Sequence, residues 1–347
     1  MTEKQYGGNT GRGSGENSAR VNVERLKPHL NETQNKNQKD ISSEEDYKRM
    51  NKEDKEKIIK AGKIASEVKA WIKPQIKKDM SLVEIAEKIE SRIFELGGEP
   101  AFPVNLSIDN VAAHYTPSHD DETKAHGLLK VDFGVHIDGW TADNAFSIDL
   151  ENNEENKKLI EASKEALENA IEIVRENKEQ TSTNQIGKKI QETIESNGFS
   201  PVINLSGHSM EQYQLHSGIT IPNVGGGKED ILNEGLYAIE PFATNGSGKV
   251  KDGKPSGIYE LISEKGVRSP IAREVLKFIT EEYETLPFCS RWIVKKFGTK
   301  ALFGLKQLED NGNLHHFSQL AEISGSKVSQ AEQTILIEKD KVIVTTE

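Results

Sequence analysis

The chain has 347 residues, of which 29% are charged and 34% hydrophobic, and its formal net charge is −11. That acidic balance argues against a protein built to bind nucleic-acid phosphates, no apolar run approaches a bilayer span, and the start of the chain lacks a signal-peptide core. A single cysteine, Cys289, excludes an internal disulfide framework and fits a reducing, cytoplasmic compartment.

Residues 1–50 mix Gly, Asn, Ser, Gln and both charge signs without apolar periodicity, which predicts a disordered polar tail. Helical spacing begins at KEKIIKAGKIASEVKAWIK (55–73), with Ile58, Ile59, Ala61, Ile64, Ala65, Val68 and Trp71 on one face. In SLVEIAEKIESRIFELGG, Ser81 and Glu84 predict a capping box, and Gly97 or Gly98 a helix stop. The strands LLKVDFGVHI and WTADNAFSIDL follow. A second helical pair comes next, NKKLIEASKEALENAIEIVRE (156–176) and STNQIGKKIQETIESNGFSP, where Ser182 and Gln185 repeat the capping box and Gly198 the stop. At an offset of 101, Ser81, Ile85, Lys88, Ile89, Ile93, Gly97 and Pro100 match Ser182, Ile186, Lys189, Ile190, Ile194, Gly198 and Pro201. One large repeat of this kind predicts two similar halves rather than a solenoid.

GLYAIEPFAT reads as a further strand, and QTILIEKDKVIVTT as a hairpin turning near Lys339-Asp340. Between them, SPIAREVLKFITEEY, SRWIVKKF and TKALFGLKQLEDNGNL read as three helices, so residues 266–325 are expected to be an inserted helical subdomain. The expectation is an α+β domain over residues 51–347, made of two pseudo-symmetric halves with that insertion.

VDFGVHIDGWTADNAF places Asp132 and Asp143 in strands that would favour valine or threonine. Asp138-Gly139 is a type I′ turn signal. With the turn there, Asp143 lies opposite Gly134, diagonal to Asp132 on one face, and Gly134 leaves room beside the two acids. Val131, Phe133, Val135, Ile137, Trp140, Ala142, Phe146 and Ile148 take the other, core-facing side. Two neighbouring carboxylates repel unless one is protonated or a cation sits between them. The plain alternative is a pair of solvent-facing acids. Weighing against it are Glu240 within GLYAIEPF, Glu332 at the mouth of a strand in SQAEQTILI, and His208 and His216 in LSGHSMEQYQLH. Four carboxylates and a histidine suit divalent ions.

These stretches, with AFPVNLSIDNVAAHYTP, YAIEPFATNGSG and TLPFCSRW, closely resemble the type 2 methionine aminopeptidases, of the archaeal and eukaryotic kind and the pita-bread fold. The resemblance covers about residue 55 to the end. It implies that Asp132, Asp143, His208, Glu240 and Glu332 hold two divalent ions (Co, Mn, Fe(II) or Zn), with Asp143 and Glu332 bridging, Asp132 on one ion, and His208 and Glu240 on the other. It also implies Glu240 as proton shuttle, and His216 and His114 as hydrogen-bond donors to the substrate carbonyl or the developing oxyanion. Phe102, Leu215, Ile258 and Phe317 would form the methionine pocket. The implied substrates are nascent polypeptide N-termini with a small second residue, met at the ribosome by a monomer. Glu211 departs from the family's usual glycine and is expected to affect local packing only.

Two alternatives stay open. An Xaa-Pro peptidase of the same fold would place its second histidine seven residues after the ligand histidine, whereas His208 and His216 are eight apart. A non-catalytic pita-bread binding protein would lack metal ligands. Among other motifs, VDFG has no HRD catalytic loop before it, and GGGK at 225–228 lacks the P-loop spacing. Cys289, beside Phe288 and Trp292, reads as packed rather than nucleophilic.

Overall fold

The structure, a computed structural model, describes residues 50–227 and 229–347; the polar tail expected over 1–50 lies outside the described residues apart from Met50. The first half runs α1 (Lys52–Ile72), α2 (Leu82–Glu95), β1 (Glu99–Pro100), β2 (Asn105–Ile108), β3 (Val111–Ala113), β4 (Leu128–Ile137) and β5 (Trp140–Asp149). The second runs α3 (Glu154–Asn177), a short 3-10 turn (Lys178–Gln180), α4 (Thr183–Ser196), β6 (Ser200–Pro201), β7 (Ser206–Met210), β8 (Thr220–Pro222), β9 (Gly235–Ile239) and β10 (Phe242–Thr244). Then come β11 (Val250–Leu261), α5 (Pro270–Glu282), β12 (Phe288–Cys289), α6 (Ser290–Phe297), α7 (Ala301–Asp310) and β13 (Leu314–Glu322). The chain closes through β14 (Val328–Gln330), β15 (Glu332–Glu338) and β16 (Lys341–Val344).

The repeat appears as geometry. Helices α2 and α4 are both 14 residues long, with Ser81 and Ser182 at their N-caps. Each cap residue also makes one antiparallel bridge, Ser81 to Lys124 and Ser182 to Ile231. Past their ends, Gly97 and Gly198 take φ of +77° and +83°, open to glycine without steric cost. The caps themselves differ. Ser182 and Gln185 close the capping box, but the Ser81 side chain makes no cap hydrogen bond. There Glu84 reaches forward to Lys88 at 2.8 Å, one helical turn on, instead of back to the cap.

The large sheet has nine strands, ordered β1-β4-β5-β15-β9-β7-β8, with β2 beside β4 and β16 beside β15. Helices α1 and α2 bury Ile64, Val68, Ile85 and Ile89 against Val131, Phe133, Val135 and Ala142. Helices α3 and α4 bury Leu167, Ile171, Ile186 and Ile190 against Tyr237, Ile239, Ile335 and Ile337. Full burial of each such branched side chain contributes about 1.5–3 kcal/mol. Because strand side chains alternate, this coat claims one face of the sheet and leaves Asp132, Asp143 and His208 on the other.

Two features of the sheet depart from the sequence reading. GLYAIEPFAT is not one strand. It breaks at Glu240-Pro241, so β9 belongs to the large sheet and β10 to a separate sheet of order β14-β10-β6. Pro241 has no amide proton to continue a ladder. Segment 266–325 contains three helices, α5 to α7, around a core of Val275, Ile279, Phe288, Ile293 and Leu305. It also contributes β12 and β13 to a four-stranded sheet, β12-β11-β13-β3. Strand β13 (LHHFSQLAE) is mostly half-buried and lacks apolar alternation, which is why its sequence does not announce it.

Glu322, at the end of β13, ties this sheet to the second half. Its carboxylate accepts from Ser247 N (2.8 Å) and Oγ (2.6 Å), Ser324 N (2.7 Å) and Oγ (2.6 Å), and Ser326 N (3.1 Å). Burial would raise its pKa, but the Ser247 and Ser324 hydrogen bonds outweigh it and hold the group at about 2. A folded-state pKa below the unfolded value contributes stability that is lost as pH falls through it. Glu322→Gln is expected to cost about 1–3 kcal/mol at neutral pH. In urea denaturation at a series of pH values, the gap to wild type should close between the ordinary glutamate pKa of ~4.3 and about 2.

Candidate metal centre

The hairpin behaves as its turn requires. Asp138 and Gly139 take φ of +49° and +77°, the left-handed pair of a type I′ turn, and β4 and β5 pair Gly134 with Asp143 and Asp132 with Ala145. Gly134 does not leave space for the acids, however. A Cβ there would come within 2.5 Å of Phe102 Cε1 and 2.9 Å of Ala101 Cβ, so the missing side chain makes room for the Phe102 ring. Thr334 then fixes Asp143: its hydroxyl accepts from Asp143 N at 2.7 Å and donates to Asp143 O at 2.8 Å.

Glu240 and Glu332 owe their positions to a shared break. β9 and β15 pair up to Ile239–Gln333, and β10 and β14 resume at Phe242–Gln330. Ala331 N donates to Pro241 O at 3.2 Å across the gap. The two glutamates therefore face each other where both strands pass from the large sheet into the small one. Glu240 lies just beyond β9 rather than within it.

Donor atoms of Asp143, His208 and Glu332, all buried, lie within 4.8 Å of one another. His208 Nε2 is 3.8 Å from Asp143 Oδ2 and 3.6 Å from Glu240 Oε1. Asp132 joins through Gln330, whose Nε2 donates to Asp132 Oδ2 at 3.2 Å and Glu240 Oε2 at 3.4 Å. Gln330 escaped the sequence reading; its only signal is a polar side chain two residues before Glu332.

Electrostatically the cluster is strained. Burial pushes Asp132 up to about 7 against the Gln330 hydrogen bond. Burial, then repulsion from Asp132, raises Asp143 well above its ordinary value. Glu240 and Glu332 are raised by burial and then by their carboxylate neighbours, and His208 is lowered by burial and then by His216. Asp132 Oδ1, Asp143 Oδ1 and Glu332 Oε1 are buried without a hydrogen-bond partner among the described residues. Buried unsatisfied carboxylate oxygens beside an imidazole are a donor set that divalent cations fit.

The other candidate residues surround this cluster on different supports. His216 stands 4.3 Å from His208 between ring centroids; it is exposed to solvent, yet the protein packed around it lowers its pKa, and His114 adds to the effect. His114 takes φ +61°, sets Nδ1 3.2 Å from Ser318 O, and packs edge-to-face on Phe317 with ring centroids 5.6 Å apart. Burial lowers its pKa, the Ser318 contact opposing. Ile258 is buried on β11 opposite Cys289, and Leu215 packs against the cluster of Ile58, Trp140, Met210 and Leu236. Cys289 is buried and its thiol pushed up to about 12 by burial, which fits a packing role. Glu211 is exposed and closes a tight turn with Gln214.

Tyr213 also escaped the sequence reading. It holds the Leu215–His216 loop onto the hairpin turn, since Tyr213 N donates to Gly139 O at 2.9 Å and a Cβ on Gly139 would strike its ring at 2.4 Å. From the insertion, Thr285 Oγ1 donates to Tyr213 O.

A profile of metallopeptidase family M24 matches residues 56–272. The chain is 46% identical over 299 residues to a methionine aminopeptidase of Pyrococcus horikoshii, covering 85% of this chain and all of that one. It is 44% identical over 294 residues to a methionine aminopeptidase of Methanocaldococcus jannaschii, covering 84% of this chain and 98% of the other. Among solved structures, a thermophilic Arx1 superposes with TM-score 0.74 at 15% identity, covering 85% of this chain and 91% of that one, a likeness of fold alone.

In the metal-free protein, Asp143→Asn relieves repulsion and should unfold at a higher temperature than wild type. Mn or Co should raise the wild-type Tm, by about 2.7 kcal/mol of stability at a hundredfold excess over Kd, and raise that of the variant little; paired thermal melts check both. Gly134→Ala should displace the Phe102 ring and destabilise by about 1–3 kcal/mol in urea denaturation.

Proposed function

The chain belongs to metallopeptidase family M24, and from that premise we propose that it removes the N-terminal methionine from nascent polypeptides, with residues 51–347 as its catalytic unit. The observation that carries this reading is the buried convergence of Asp143, His208 and Glu332 beside Glu240. The names of its archaeal relatives support it. Asp132, Asp143, His208, Glu240 and Glu332 would hold two divalent ions, Co, Mn, Fe(II) or Zn. Such ions, when bound, lower the pKa of water and polarise a carbonyl.

The chain's own residues supply the rest. Glu240 takes a proton from the attacking water and returns it to the leaving amine. His216, neutral because its pKa is lowered, donates from one ring nitrogen to the substrate carbonyl oxygen. His114 takes a different part from the one expected of it. The Ser318 carbonyl can only accept, so Nδ1 carries the ring proton and, in the neutral imidazole, Nε2 is an acceptor. It therefore suits the N–H of the scissile amide rather than the carbonyl oxygen. Phe102, Leu215, Ile258 and Phe317 receive the methionine side chain, and a small second residue is favoured. The enzyme acts as a cytoplasmic monomer on chains emerging at the ribosome; among the described residues no helix is long and apolar enough to cross a membrane.

Methionine release from a Met-Ala-Ser peptide by the metal-loaded protein tests the reading. Asp143→Ala should lower kcat/KM at least about a thousandfold, equivalent to ~4 kcal/mol of transition-state stabilisation. Cleavage only before proline would assign an Xaa-Pro peptidase instead, and no turnover with any of the four metals a binding protein.

A further inference from the structure

We propose that Arg291 is a positioning residue that sets the shape of the methionine pocket from outside it, an inference that rests on the methionine aminopeptidase reading above. Arg291 and Glu90 are buried, 3% and 7% exposed, and lie outside the metal cluster. Arg291 Nη1 and Nη2 each donate to a separate oxygen of Glu90 at 2.7 Å, while its Nε donates to Pro117 O at 3.1 Å. One planar group thus joins three segments that are distant in sequence.

Two of the segments lead to walls of the methionine pocket and the third to His114 at the scissile bond. Glu90 lies on α2, which feeds through β1 to Phe102. Pro117 is three residues beyond His114, whose φ of +61° is a conformation that the surrounding structure must enforce. Arg291 is the second residue of α6, two residues after Cys289, and Cys289 pairs with Ile258 on β11. The guanidinium is the node at which the supports of Phe102, His114 and Ile258 meet.

A buried ion pair is often replaced by apolar residues at no cost in stability, so stability alone does not explain this one. What an apolar pair cannot reproduce is a fixed fork of donors that sets three acceptor oxygens of Glu90 and Pro117 in one plane, nor can the single ammonium of lysine. The consequence falls on binding of the methionine side chain. The metal ligands, held by Thr334, Gln330 and the β9–β15 break, keep their places.

Arg291→Lys and the double variant Arg291→Met/Glu90→Leu test this, with Met-Ala-Ser and norleucine-Ala-Ser peptides and calorimetric titration of Mn. The expected result is a KM for the methionine peptide raised about ten- to a hundredfold, with a smaller fall in kcat transmitted through His114. Discrimination against norleucine should fall, and Mn affinity stay at the wild-type value. Wild-type KM and wild-type discrimination in a folded variant would overturn the proposal. So would a loss confined to kcat in proportion to unfolded protein, which marks a purely structural pair. If the double variant does not fold, Arg291→Lys decides alone. Failure of the wild type to release methionine would overturn the function itself, and this role with it; an active wild type with unaltered variants overturns the role only.

Discussion

Four carboxyl groups, Asp143 and Glu332 buried and Asp132 and Glu240 half-buried, are gathered in one poorly solvated place, and the structure is arranged around that cost. Two like charges at 4 Å repel by about 4 kcal/mol at an effective dielectric of 20. A flexible frame would let them separate. Here each is pinned from the main chain outward: Asp143 by the Thr334 hydroxyl, Asp132 and Glu240 through Gln330, and Glu240 and Glu332 by the break their strands share. The apolar coat of α1 to α4 on the far face keeps the strands from shifting register, since a slip of one residue would turn every acid into the core. Repulsion and rigidity together define a place that a divalent cation completes.

The two halves solve the same framing problem with different chemistry. Both enter through a helix capped at Ser81 or Ser182, and both bridge that cap to a later segment. The first half then supplies two aspartates from one continuous hairpin. The second supplies His208 from β7 and Glu240 from the end of β9. Glu332 comes from neither helical pair but from the strand between them. The repeat is one of scaffold, and the donors differ.

What was legible in the sequence is what short-range physics determines. The register of β4 and β5 followed from Asp138-Gly139 and strict alternation, because a type I′ turn leaves one pairing open. The helices followed from their apolar spacing, and the α+β class from their order. What was hidden depends on distant partners. Nothing local to GLYAIEPFAT says that its proline coincides with a break in another strand ninety residues later. Nothing in Gly134 says that its space belongs to Phe102. Strand β13 is polar on its sequence and a strand by virtue of β11. Gln330, Tyr213 and Arg291 carry no motif at all; each matters because of what it joins.

Strand β15 has a consequence for the order of assembly. It lies between β5 and β9 and hydrogen-bonds to both, yet it follows every other strand of the large sheet except β16 along the chain. Until it arrives, the two parts of the large sheet present open edges to each other, and among strand pairings only the four-stranded sheet, where β3 pairs with β13, joins the first half to later segments. Contacts across such long separations are slow to form, and unpaired edges expose intermediates to aggregation. As the polypeptide is synthesised, Asp132 and Asp143 therefore stay on one part of the large sheet and His208 and Glu240 on another until β15 is made. The centre comes into being in a single late step.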